Sequence, residues 1–208
     1  MPGDFLRRLP QISFEQFCAF RDERPKEEKW ELIDGVPMMM PPPTLVHQRI
    51  SGNIERLIND RLIQVRPTWF ADQEIGIRIP ADDRYNPEPD VTVIDAVIAL
   101  GQIYAERFYF VAEVLSESNQ PGTLAGSDKP IVLGAKIDFY RLHEHCRAVL
   151  VVRQDRVEAD IYSRAQGWQC STLTDPSNRV VIPDIGDIGP LAHLYRHTPH
   201  WRAAWISH

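Results

Sequence analysis

Apolar residues recur along this chain with two different periods, and their alternation lays out an ordered series of helices and strands. Phe14, Phe17 and Cys18 share one helical face just after Ser13, which forms a capping-box pattern with Gln16; the spacing predicts a short helix ending near Arg24-Pro25. Trp30 to Ile33 and Val36 to Met40 flank Asp34-Gly35, the dipeptide best suited to a tight hairpin turn, and Pro37 places the second arm at an edge. Thr44 is positioned to cap a long helix reaching about Val65, with Ile50, Ile54, Leu57, Ile58 and Leu62 at helical spacing. Such a face is expected to cover a sheet.

Period two takes over next. Ile75, Ile77 and Ile79 alternate with Glu74, Gly76 and Arg78, which predicts a strand over Trp69 to Ile79. Two β-branched runs follow, Val91 to Ile94 and Tyr109 to Leu115, and then the turn-forming run Ser116 to Gly122. A third helix is expected from near Pro130 to about His145, then strands over Ala148 to Arg153 and Val157 to Tyr162, and a weaker one near Cys170 to Leu173. The remaining C-terminal stretch is punctuated by prolines and carries no clear period.

The chemistry concentrates on the two β-branched runs. Asp90 stands at the mouth of the first and Glu113 inside the second. Antiparallel pairing with Val91 opposite Ala112 and Val93 opposite Phe110 brings the two carboxylates to one end of the sheet. Like charges placed together destabilise a sheet, and a glutamate among Val111, Ala112, Val114 and Leu115 is costly without compensation. A divalent metal is the simplest compensation. The helix from Pro130 adds a cation: Leu133, Lys136, Ile137 and Tyr140 form one stripe, so Lys136 points where its neighbours are apolar. By itself that is the pattern of a lysine whose stem covers the core while its ammonium reaches water; beside two carboxylates it becomes a candidate to orient water and stabilise charge on a phosphate.

Composition narrows the setting. With 208 residues the chain is long enough for one domain with a real core, and no apolar run approaches the roughly 20 residues that span a bilayer. The first residues lack a signal-peptide apolar stretch, so a cytoplasmic protein with no membrane partner is expected. Cys18, Cys146 and Cys170 are odd in number and far apart, and are expected to be reduced and buried. A net charge of −6 argues against a protein that coats nucleic acid nonspecifically. A nuclease remains compatible, with Arg78, Arg84, Arg141, Arg147 and Arg153 as the candidate basic rim.

Taken in order, Trp30-Glu31-Leu32-Ile33-Asp34-Gly35, the proline-rich step to His47-Gln48, Pro89-Asp90-Val91, Glu113-Val114-Leu115-Ser116, and Lys136 with Tyr140 resemble the Uma family of restriction endonucleases. The resemblance runs from about Ser13 to Tyr162. It implies an α/β (α+β) restriction-endonuclease-like core over 13–162, with a central mixed sheet flanked by helices, an N-terminal helix and hairpin, and a C-terminal extension over 163–208, all one domain. It also implies Mg²⁺-dependent hydrolysis of DNA phosphodiesters, with Mn²⁺ as a substitute. Carried over by position, Asp90 and Glu113 are metal carboxylates, the Val114 carbonyl is a further ligand, Lys136 takes the lysine role and Glu31 completes the site through water. His47 and Tyr140 contact substrate or brace the ligands. The chain departs from the pattern where Leu115 stands at the usual lysine position, which moves the lysine to the helix, and where Val132 replaces an aspartate.

Other candidates carry less. His47 shares a helical face with Ser51, Ile54 and Ile58, the placement of a buried histidine bonded to backbone. His143 and His145, two apart on a predicted helix, do not face each other as joint metal ligands. His193 and His197 lack an acidic partner, and Ser116 and Ser118 lack a nucleophile motif. Met38 to Met40 read as packing residues. Two other function classes compete: an interaction module that keeps the scaffold without catalysis, and a metal-dependent hydrolase for another phosphate-containing substrate. A homodimer suits an enzyme that cuts two strands.

Overall fold

The computed structural model describes residues 6, 8–115 and 129–201. In chain order the elements are α1 (Phe14–Asp22), β1 (Lys29–Ile33), β2 (Val36–Met40), α2 (Leu45–Val65), β3 (Trp69–Asp72), β4 (Val91–Asp95), β5 (Phe110–Leu115), α3 (Lys129–Leu142), β6 (Ala148–Arg153), β7 (Ala159–Ser163), β8 (Cys170–Leu173), β9 (Arg179–Ile182) and β10 (Gly186–Pro190). A six-stranded sheet runs β3-β4-β5-β6-β7-β8, with β1–β2 and β9–β10 as separate two-stranded ribbons. The sheet is mixed. β5 and β6 run parallel through the α3 crossover, while the other neighbours are antiparallel.

Local chemistry explains most element ends. Ser13 and Gln16 make the reciprocal capping box of α1, and Thr44 accepts the His47 amide at the start of α2. Asp34 and Gly35 hold φ of 48° and 78°, so the β1–β2 turn needs the left-handed region that asparagine, aspartate and glycine tolerate best. The stretch expected to be one strand from Trp69 to Ile79 is a strand only to Asp72. Glu74 has φ of 55°, which breaks the extended run, and Ile77 keeps only an isolated bridge to Ala105. The third helix, α3, stops at Leu142, short of His145. The proline-punctuated C-terminal stretch holds the β9–β10 ribbon, whose Val180, Ile182, Ile185 and Ile188 are buried in the main core.

Two apolar layers sandwich the sheet. On one face Ile50, Ile54, Ile58 and Leu62 of α2 pack on Val91, Val93, Phe110, Ala112, Val114, Leu150 and Val152. Each such burial is worth about 1.5–3 kcal/mol. On the other face Ile137 and Tyr140 of α3 pack on Val111, Val149 and Val151, while Val132 and Ala135 of the same helix meet Ile33, Val36 and Met38 of the hairpin. α3 is therefore held between sheet and hairpin, and a polar residue on the seam between those faces meets both. Of the cysteines only Cys146 is buried; Cys18 is half-buried and Cys170 exposed, because β8 is the sheet edge and shows that side chain to solvent.

Asn86 joins the hairpin to the segment leading into β4. It is fully buried, exchanges backbone hydrogen bonds with Leu32 and donates its side-chain amide to the Ile77 carbonyl at 3.0 Å. Asn86→Ala is expected to lower stability by about 1–3 kcal/mol by leaving that carbonyl unpaired. Urea denaturation at neutral pH checks it, and an unchanged midpoint contradicts the account.

Candidate active site

The β4–β5 register matches the spacing argument, with Val91 opposite Ala112 and Val93 opposite Phe110. Along β5 the side chains alternate: Ala112 and Val114 face the α2 layer and Val111 the α3 layer, so Glu113 also points toward α3. Asp90, one residue before β4, sits at the same end of the sheet. Both acids line one cleft of about 170 Å³, together with Glu31, His47, Val114 and Lys136.

Lys136 organises the interior of that cleft. Its Nζ lies 2.8 Å from Glu113 Oε1 and 3.0 Å from Glu31 Oε2. The three residues are 6%, 7% and 2% exposed, so their charges interact with little water between them. Burial opposes the ammonium, but the Glu113 and Glu31 carboxylates outweigh it, and its pKa is raised. Lys136 keeps its proton. Tyr140 donates its hydroxyl to Glu113 Oε1 at 2.7 Å, and burial beside that carboxylate holds the phenol well above its ordinary range. Glu113 is pushed up to about 7 by burial, which with Asp90 and Glu31 nearby exceeds the opposing pull of Lys136.

Asp90 is held from two directions. His47 Nε2, in the first turn of α2, is 2.7 Å from Asp90 Oδ1, and the Val114 amide donates to Oδ2 at 2.6 Å. The bond to a carboxylate replaces the backbone partner expected for a buried histidine. The structure thus brings together Glu31, His47, Asp90, Glu113, Val114, Lys136 and Tyr140 from α2, α3, the hairpin and the central strands.

Sequence reasoning missed a second charged group at the mouth of the cleft. Lys29 Nζ is 3.3 Å from Glu74 Oε1 and 3.6 Å from Glu88 Oε2, and all three line the same cleft. Lys29 lies two residues before Glu31 on β1, so the strand period carried a signal for it; Glu74 and Glu88 arrive from loops that leave none. The candidate basic rim is elsewhere. Arg84 pairs with Asp34, Arg141 with Asp138, Arg147 with Asp184, and Arg153 with Glu158 and Asp160; Arg78 binds the carbonyls of Ile79 and Asp82. None of these arginines lines the cleft. Ser116 and Ser118 lie outside the described residues. His143 and His145 fall beyond the end of α3, with ring centroids 5.6 Å apart, away from this cleft.

Among the described residues, no group of three or more His, Cys, Asp or Glu side chains is arranged to hold a metal ion by itself. The donor chemistry still fits a hard cation. Five carboxylates, from Glu31, Glu74, Glu88, Asp90 and Glu113, share the cleft with the two ammoniums of Lys29 and Lys136, so acids outnumber cations around it. Mg²⁺ needs only one or two protein carboxylates because it retains several waters.

The same shift sets a pH dependence. A carboxyl raised from 4.5 to about 7 in the fold contributes stability that is complete below about 4.5 and is lost as pH rises through about 7. Urea denaturation between about pH 4.5 and 8 is expected to show that decline in the wild type and a flatter profile in Glu113→Gln. Equal slopes in both proteins would contradict the assigned environment.

No curated protein matches the chain significantly. Among solved structures, one described as a "putative nuclease belonging to DUF820 from Anabaena variabilis" superposes with a TM-score of 0.63 at 18% identity, covering 88% of this chain and 97% of that one, which shows a shared fold. The Uma2 family, described as "Putative restriction endonuclease", matches residues 13–187. With the family matched from before α1 into the C-terminal ribbon, this chain belongs to the Uma2 family.

Proposed function

We propose that this protein is a metal-dependent endonuclease that hydrolyses DNA phosphodiester bonds with water as nucleophile. The observation that carries the reading is the single cleft in which the Glu31–Lys136–Glu113 ion cluster stands beside Asp90. Asp90 and Glu113, with the Val114 carbonyl, are the proposed ligands of Mg²⁺ or Mn²⁺. When bound, the cation supplies Lewis-acid polarisation of a phosphoryl oxygen and makes water more acidic.

The chain's own groups have distinct tasks in this proposal. His47 and the Val114 amide fix the Asp90 carboxylate, so its position is set before substrate arrives. Tyr140 and Lys136 do the same for Glu113. A lysine with a raised pKa is a poor proton acceptor at neutral pH, so Lys136 acts as a donor: it orients the attacking water and stabilises charge growing on the phosphate. Glu31 holds that ammonium from the hairpin side. A homodimer is the proposed assembly.

A non-catalytic module on the same scaffold is the second reading, favoured by the placement of the arginines, which pair with acids or carbonyls outside the cleft. Purified protein with supercoiled plasmid separates the two. With Mg²⁺ or Mn²⁺ the wild type is expected to convert plasmid to nicked or linear forms, EDTA to abolish conversion, and Asp90→Ala or Lys136→Ala to slow it roughly 100-fold or more. Indistinguishable behaviour of wild type and Asp90→Ala, with both metals and with single- and double-stranded DNA, removes the nuclease reading.

A further inference from the structure

The end of the sheet opposite the cleft carries an organised apolar loop. Because β4 and β5 are antiparallel, Asp90 and Val114 mark one end of the pair and Asp95 and Phe108 the other. Between them, Val97, Ile98, Leu100 and Ile103 are 90%, 61%, 107% and 73% exposed, and Leu142 at the end of α3 is 85% exposed. Isolated exposed apolar residues are ordinary, but a cluster of large ones marks an interaction site. The loop is braced from within: Gln102 accepts the Ala99 amide at 3.1 Å and donates to the Tyr104 carbonyl at 3.0 Å. Beside it lies a groove of about 860 Å³ lined by Ile79, Ile94, Val97, Ile98 and Leu142.

We propose that this face is a two-fold homodimer interface in which the 96–103 loop of each protomer enters the groove of the other. Loop and groove belong to one surface, which is what an isologous contact requires, since the same patch must supply both halves. The area is adequate. Burying a Val, Leu or Ile side chain removes roughly 100 Å² of apolar surface, so the five residues contribute roughly 500 Å² of the 800 Å² or so that each partner gives to a standard interface. The groove wall also carries Glu106 and His143, together with two pairs already closed within the protomer, Glu144 with His145 at 3.3 Å and Asp95 with Arg107 at 2.6 Å. With these charges already paired, the apolar residues are the part of the face left to a second copy, whereas a polyanion would meet Glu106 and Glu144.

The two clefts then lie at the far ends of the dimer, each complete within its own protomer. The interface stands independently of the nuclease reading, because assembly is measured whether or not the cleft cuts DNA. Sedimentation of the full chain at micromolar concentration is expected to give twice the 23.9 kDa chain mass. Ile98→Asp with Leu100→Asp, and separately Leu142→Glu on the groove wall, are expected to raise the dissociation constant roughly 100-fold or more and yield monomer, with far-UV circular dichroism unchanged. A monomeric wild type, or a dimer that survives both sets of substitutions, overturns the proposal.

Discussion

The contact of Lys136 with Glu31 and Glu113 is the constraint on which the arrangement depends. An ammonium at 6% exposure loses most of its hydration, a cost of several kcal/mol that one carboxylate in good geometry scarcely offsets. Two carboxylates meet it here, one from the central sheet and one from the hairpin. The hairpin is consequently part of the site's construction. Val132 and Ala135 fix α3 to it through Ile33, Val36 and Met38, while Ile137 and Tyr140 fix α3 to the sheet.

Asp90 completes the arrangement from the opposite layer. α2 covers the other face of the sheet, yet its first turn reaches past the strand end to place His47 on the Asp90 carboxylate. Helices from both faces thus converge on the end of β4 and β5. Thr44 sets where α2 begins and hence where His47 stands, so a helix cap lies three residues from the histidine that holds a candidate catalytic carboxylate. The opposite end of the same strands carries the exposed apolar loop, which separates chemistry from the proposed assembly by the length of the sheet.

The parts legible in the sequence were those governed by short-range rules. Asp34-Gly35 announced its turn, Thr44 and Ser13 announced their helices, and the β-branched runs Val91 to Ile94 and Tyr109 to Leu115, paired with Asp90 and Glu113 at one end, carried the register. Lys136 was legible because helical spacing places it among apolar neighbours. What failed to show depends on distant partners or single backbone angles. Ile75, Ile77 and Ile79 alternate as a strand should, but the positive φ of Glu74 turns the chain away from the ladder. The arginine rim failed because every candidate found an acid or a carbonyl closer than the cleft. The β9–β10 ribbon was hidden by prolines and glycines that mask its alternation, although its inward residues enter the main core.

The central claim is that the surplus carboxylate charge around Lys136 belongs to a divalent-cation site. Titration of the protein with Mn²⁺, followed by electron paramagnetic resonance of the free ion, tests it without any substrate. The account predicts one saturable site per chain, displaced by Mg²⁺ and lost in Asp90→Asn with the fold intact. Mn²⁺ that stays free in the wild type, or binds equally to Asp90→Asn, would contradict it.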